Sequence, residues 1–266
     1  MNELILIIVQ GYLMLVVLQA GLWAIQNHTK DASTADVGWA IGMSVLVGWY
    51  AVNLEGNAAR KMLMGIPVLI WTIRLSSHLL RRMMHHQKED SRYAQFRQAW
   101  GRDARRNFFM IYQLQPVFNV LLSVPFLIAF MNPDQTIKAI EIIAVMVWTI
   151  GILGESIADE QLRRFMLDPA NTGKVCQEGL WNYSRHPNFF FEWLMWVAYF
   201  IFALSSPYGW WAVIAPAFML FLLIKVTGIP LMEQRALANK GEAFREYMRT
   251  TSFFIPLPKR SIAAIV

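Results

Sequence analysis

Apolar residues in this chain run together in long stretches, separated by short polar ones. The stretches are too long for the core elements of a soluble fold. A bilayer crossing takes roughly 20 mostly apolar residues. Seven segments meet or approach that length: Leu4–Ile25, Val37–Leu54, Met62–Leu80, Phe108–Met131, Ile137–Ile157, Phe189–Leu204 and Tyr208–Ile229. The third carries Arg74 and the sixth is short. Each is expected to be a helix, since hydrocarbon offers no partner to an open backbone group. The pattern predicts an all-α, polytopic integral membrane protein of about seven spans. No internal repeat, low-complexity tract or separate soluble domain interrupts it, so residues 1–266 are expected to form a single membrane domain.

Composition supports lipid as the solvent. The chain is 56% hydrophobic and 16% charged, with mean hydropathy +0.36, where soluble domains carry about 25% charged residues. The positions of Lys and Arg then predict an orientation. Segments after spans one, three, five and seven hold 1, 8, 4 and 6 of the 24, whereas the N-terminal stretch and the segments after spans two, four and six hold 0, 2, 0 and 0. Basic residues mark the cytoplasmic side. The N-terminus is therefore expected outside and the C-terminus in the cytoplasm, in a bacterial inner membrane.

The net charge of +6 thus reads as a topology signal and not as a nucleic-acid face, with a minority of basic residues suited to an anion such as a phosphate-bearing cofactor. The one cysteine, Cys176, rules out an internal disulfide and a cysteine-based metal cluster; it reads as an inert loop thiol. The stretch from Met1 to Trp23 lacks a basic n-region and a small-residue cleavage site, and is read as the first span.

Polar residues cluster where the later spans meet the cytoplasmic loops. In "GESIADEQLRRFMLDP", Glu155, Asp159 and Arg163 recur every four residues and share a helix face. Asp159 and Arg163 are an expected ion pair; Arg163 and Arg164 also suit a phosphate, since Arg offers a fork of donors. In "GLWNYSRHPNFFFEW", Pro187 sits where a helix can start. Arg185 and His186 flank that start, and Asn188 and Glu192 follow on one face. A glutamate one turn into a span must face protein or a wet cavity. Gly228 and Pro230 are expected to end the last span, and the tail with Glu233, Arg235, Glu242, Phe244, Arg245 and Tyr247 reads as an amphipathic helix, either lying on the membrane or lining a site.

In the N-terminal half, Thr34 or Asp36 heads span two as a possible cap. Trp71, Arg74 and His78 share a face of span three, and Arg74 needs an acid, for which Asp36 and Glu192 are the candidates. His85 and His86 lack the spacing of metal ligands and read as solvated; no metal site is expected.

These stretches, together with "EDSRYAQFR", "DVGW" and "FREYMRTTSFFIP", resemble the DUF1295 group. That group is related to the C-terminal domain of steroid 5α-reductases; sterol Δ14-reductases carry a similar R-H-P-N stretch followed by an acid, and isoprenylcysteine carboxyl methyltransferases a looser form. The resemblance implies a membrane reductase using NADPH, with 1–131 as substrate-side helices and 132–266 as a cofactor-binding half. It places Asn188, Glu192 and Asp159 at cofactor-contacting positions, Trp181, Arg185 and His186 in the same loop, and Glu233, Arg235 and Tyr247 near it. Asp36 and Trp71 stand where 5α-reductases hold a glutamate and a tyrosine beside the steroid. This chain departs from that pattern: Trp71 has no phenol, and Phe189-Phe190-Phe191 stands where relatives show Tyr and Gly.

The implied reaction reduces a C=C bond conjugated to a carbonyl in a lipophilic molecule drawn from the bilayer, such as a steroid or isoprenoid. The developing enolate needs a donor. Asp36 is the candidate, oriented by Arg74 or Trp71; if a neighbouring Arg keeps it ionised, Tyr93 or a water must donate. Two alternatives stand beside this reading: a methyltransferase using S-adenosylmethionine, and a non-enzymatic membrane protein keeping the fold.

Overall fold

A computed structural model describes residues 2–86, 89–226 and 228–259, without the side chains of Arg82, His85 and His86. The expectation for the two histidines therefore lies outside the described residues. Among the described residues ten α-helices follow one another: α1 (Asn2–Thr29), α2 (Thr34–Asn53), α3 (Ala58–His86), α4 (Ser91–Trp100), α5 (Ala104–Leu122), α6 (Val124–Phe130), α7 (Ala139–Leu167), α8 (Pro187–Ala203), α9 (Ile214–Phe221) and α10 (Ile229–Thr250). The protein is all-α and polytopic, with several helices of membrane-spanning length and composition.

The spans depart from the expected set in two places. Helices α1, α2, Ala58–Arg81 of α3, α7 and the stretch Gly209–Thr250 are long and apolar enough to cross a bilayer, and α4–α6 supply a sixth span if the bent segment is counted as one. The bend of 42° at Ser123 has a local cause. Pro125 lacks the N–H that would continue the helical ladder, and proline commonly kinks a helix at this point. The expected sixth span, α8, has 17 residues. At 1.5 Å per residue it is about 26 Å long, short of the roughly 30 Å hydrocarbon core.

The chain folds into two compact units, Met1–Ala139 with Ala203–Ile214, and Ile140–Phe202 with Ala215–Val266. In the first, α2 is the central helix; Ala35, Met43, Leu46 and Tyr50 along it are fully buried. Polar groups here are tied across helices. Ser44 Oγ donates to Thr72 Oγ1 at 2.7 Å, and Thr72 Oγ1 to the Ala40 carbonyl at 3.1 Å. Arg60 is fully buried; its guanidinium donates to the carbonyls of Asp134 at 2.6 Å and Thr136 at 2.7 Å, fastening the start of α3 to the loop before α7.

In the second unit α7 packs against α8 through Gly154. A β-carbon there would stand 2.4 Å from the Phe191 ring, so only glycine allows the helices so close. Trp193 Nε1 on α8 donates to the Pro216 carbonyl on α9 at 3.0 Å. The chain leaves α9 through a π-helical turn, Leu222–Val226, and α10 begins just past Gly228, as the Gly-Ile-Pro sequence implies.

Replacing Gly154 by leucine is expected to push α7 from α8 and lower stability by about 1–3 kcal/mol, the usual cost of overpacking. A lowered thermal midpoint of detergent-solubilised protein, against a control such as Gly21→Leu where a β-carbon meets nothing within 4 Å, measures it.

Candidate functional site

Each unit gathers one polar cluster. In the first, Asp36 lies in the opening turn of α2, reached by both its oxygens. Arg92 Nη2 donates to Oδ2 and Tyr93 Oη to Oδ1, each at 2.7 Å. The local sequence explains how α4 brings them there. Asp90 caps α4 by accepting from the Arg92 N–H at 2.8 Å, and its carboxylate also accepts from Arg92 Nε at 3.1 Å. The Asp90 N–H in turn donates to Ser33 Oγ at 3.0 Å. A second bracket joins the same elements: Glu89 accepts from Arg97 at 2.7 and 2.9 Å and from the Ala32 N–H at 2.9 Å.

This arrangement corrects two expectations. Neither Thr34 nor Asp36 caps α2, because the capping position is Ser33, whose side chain makes no capping bond. The side chains that orient Asp36 are Arg92 and Tyr93 and not Arg74 or Trp71; α4 folds back over the start of α2, a contact between residues more than fifty apart. Trp71 is buried and packs edge-on against Trp39 with ring centroids 5.5 Å apart. Arg74 is half-buried and His78 exposed, so the predicted shared face divides between interior and surface.

In the second unit the Arg185–His186 loop is built by its own backbone and by the tail. Gly179 takes φ +54°, and a side chain there would also strike Gln161, whose Oε1 accepts from the Leu180 N–H at 2.9 Å. Residues past α10 pair with the loop. The Arg185 N–H donates to the Ser252 carbonyl at 2.9 Å, Ser184 Oγ to the Phe254 carbonyl at 2.7 Å, and the Leu257 N–H to the Tyr183 carbonyl at 3.0 Å. Tyr247 Oη donates to the carbonyls of Trp181 at 2.5 Å and Ser184 at 3.1 Å, and Trp181 Nε1 to the Ala158 carbonyl at 2.8 Å. Trp181 and Tyr247 thus hold the loop's shape.

On this frame stand the groups with chemistry. Asn188 Nδ2 donates to Asp159 Oδ1 at 3.1 Å. His186 Nε2 lies 3.0 Å from Glu233 Oε1, and Arg185 Nε lies 3.2 Å from the same oxygen, close enough for an ion pair but outside hydrogen-bond alignment. Arg185 also lies over the Phe253 ring at 5.3 Å. Burial pushes the His186 imidazole below its usual range, against the pull of Glu233. A neutral ring donates from Nε2 to the carboxylate and leaves Nδ1 as an acceptor. Nδ1 of His186 and Oδ1 of Asn188 are both buried and have no hydrogen-bond partner among the described residues. Glu192 is buried one turn further along α8, where it accepts from Trp196 Nε1 at 3.0 Å. Arg235 is half-buried, two residues beyond Glu233.

The expected Asp159–Arg163 pair does not form. Arg163 and Arg164 are exposed and both reach Glu160, with Nε contacts of 2.6 Å. Three- and four-residue spacings to Glu160 serve the two arginines at once, while Asp159 is turned toward Asn188 on α8. Sequence reading overlooked Glu160 and Arg92, the latter counted only as a basic loop residue; its signal was the Asp90 cap just before it in "EDSRY". Cys176 is buried beside Phe165 and Trp181.

Residues 22–251 match the family described as "Protein of unknown function (DUF1295)". The chain belongs to the DUF1295 family. The match takes in both clusters, from Asp36 and Arg92 to Tyr247. An uncharacterized protein of Schizosaccharomyces pombe is 24% identical to this DUF1295 chain over 275 residues, covering 93% of the chain and 79% of the relative. No solved structure matches it.

Unfolded histidine binds a proton near pH 6.5, and folded His186 only at lower pH. Between those values the unfolded chain holds more protons, so stability falls as pH drops. Thermal midpoints measured from about pH 7 down to about pH 5 are expected to fall more steeply for the unaltered protein than for His186→Gln, which keeps a donor toward Glu233 without the titration.

Proposed function

We propose that this protein is an NADPH-dependent membrane reductase acting on a C=C bond conjugated to a carbonyl in a lipophilic substrate, steroid-like or isoprenoid. The observation that carries the reading is the pair of buried acceptors, Asn188 Oδ1 and His186 Nδ1, beside Asp159, Arg185 and Glu233 in the second unit. A buried acceptor without a donor costs free energy, and a bound molecule with amide N–H and ribose O–H groups supplies one. The residues present fit the dinucleotide in charge as well. Arg163 and Arg164 share a single carboxylate, so that exposed trio keeps a net positive charge suited to a phosphate.

NADPH, when bound, would supply the hydride for the β-carbon of the enone. The chain's own task is positioning. Asn188, fixed by Asp159, would orient an amide through Oδ1; Arg185 and Glu233 hold His186 in place; Trp181 and Tyr247 keep the loop rigid. For the proton at the α-carbon a water would serve, since the Tyr93 hydroxyl already donates its proton to Asp36 Oδ1. Asp36 accepts on both oxygens and so has no proton of its own to give. In this reading the basic loops face the cytoplasm of a bacterial inner membrane, the compartment that supplies NADPH.

Thermal shift of detergent-solubilised protein decides between cofactors. NADPH at a hundred times its Kd is expected to add about 2.7 kcal/mol of apparent stability, and Asn188→Ala to weaken that binding roughly tenfold, as loss of a buried hydrogen bond does. Stabilisation by S-adenosylmethionine and not by NADPH would overturn the proposal in favour of a methyltransferase. For the chemistry, lipid extracts of cells with and without the protein are expected to differ by a species heavier by two hydrogens, and Asn188→Ala is expected to shrink that difference.

A further inference from the structure

The first unit also carries charge that its own acids do not neutralise. The two arginines of α4 are matched, Arg92 by Asp36 and Asp90 and Arg97 by Glu89. The next three, Arg102, Arg105 and Arg106, are exposed and form no ion pair among the described residues. The one acid among them, Asp103, is exposed too and leaves this turn with net positive charge.

Arg105, Arg106 and Phe109 form one stripe along α5, and Arg102 precedes them in the 3₁₀ turn Gly101–Asp103. Met110 continues it. The stripe cannot turn inward, because Ala104, Phe108 and Tyr112 on the other side of α5 are the buried ones. It is also held in place. Trp23 Nε1 donates to the Arg105 carbonyl at 3.1 Å, the Arg105 guanidinium lies 5.5 Å from the Trp23 ring centre, and Phe109 meets the same ring edge-on at 5.0 Å. Phe109 and Met110 are exposed, as is Phe96, stacked on Trp100 at 5.1 Å. From Arg106 to Met110 the surface passes from guanidinium to thioether in one helical turn, about 6 Å. Arginines in the first turn of a helix oppose its dipole, so helix formation does not account for them.

We infer that Arg102, in the turn before α5, together with Arg105 and Arg106 in the first turn of α5, binds the headgroup phosphate of an anionic phospholipid, whose acyl chains lie along Phe109 and Met110. A free anion would use the arginines alone. A phospholipid uses both halves of the stripe, and aromatic side chains at this depth, here Trp23, favour the headgroup boundary. A bare topology signal asks only for charge on one side; it does not ask for a guanidinium held at an indole, one turn from exposed apolar side chains.

The test uses the full chain in a neutral detergent, titrated with short-chain phosphatidylglycerol and with phosphatidylcholine of the same acyl length, bound lipid being read by native mass spectrometry. Phosphatidylglycerol is expected to bind roughly tenfold more tightly, in line with the attraction each basic residue exerts on anionic lipid. The R102Q/R105Q/R106Q variant is expected to lose that preference, and R102K/R105K/R106K to retain most of it. All three side chains are exposed, and a single size-exclusion peak shows that the variants are folded. Equal binding of the two lipids, or a preference that survives in the glutamine variant, would overturn the inference. So would displacement of the lipid by millimolar inorganic phosphate, which marks a site for a free anion. NADPH plays no part in the measurement, so its outcome is independent of the proposed activity.

Discussion

A charged side chain inside an apolar bundle has to be met by other side chains or by backbone, because lipid cannot meet it. That constraint shapes every polar feature of this chain. Arg60 is answered by loop carbonyls at the start of α3. Asp36 is answered by a guanidinium and a phenol from α4, and Glu192 by the indole one turn along its own helix. Groups that look chemical in sequence therefore sort into two kinds. Some are already satisfied by the fold and act as fasteners. Others, His186 and Asn188, keep a buried acceptor for which the described residues offer no donor.

The contrast between the two clusters follows from how each is built. Around Asp36 the contacts are short, charged and mutual, and they lock α4 to α2 through carboxylates and capping bonds. Around His186 the frame is mostly neutral: hydroxyls and indole N–H groups donating to backbone carbonyls. Neutral donors fix a loop without adding net charge, which leaves the sign of the local field to Arg185, Glu233 and Asp159. A loop of this kind suits recognition, because its shape is held while its few charged groups stay available to orient a guest.

The overall architecture was legible because helical membrane spans are written in hydropathy alone, and six of the seven segments correspond to helices or helix pairs of sufficient length. The start of α8 at Pro187 and the break before α10 at Gly228 were equally plain, since proline and glycine act through local backbone geometry. Long-range partners were not. The spacing of Asp159 and Arg163 is right for a pair, yet Glu160 lies within reach of two arginines while Asn188 claims Asp159 from the next helix; intrahelical spacing lists the possible partners without ranking them. Arg74 drew attention as the arginine inside a span, whereas Arg92, in a polar loop, gave no such cue and became the partner of Asp36.

The attachment of the tail to the Arg185–His186 loop has a consequence for biosynthesis. Ser252, Phe254 and Leu257 follow α10, and they supply or receive bonds that hold this loop. While a ribosome still covers its most recently made residues, α8 has already been handed to the membrane with its polar mouth unfinished. The loop therefore closes only after α10 and the segment past it have been made, and an insertion beside Leu257 would act on the loop before it acted on anything else.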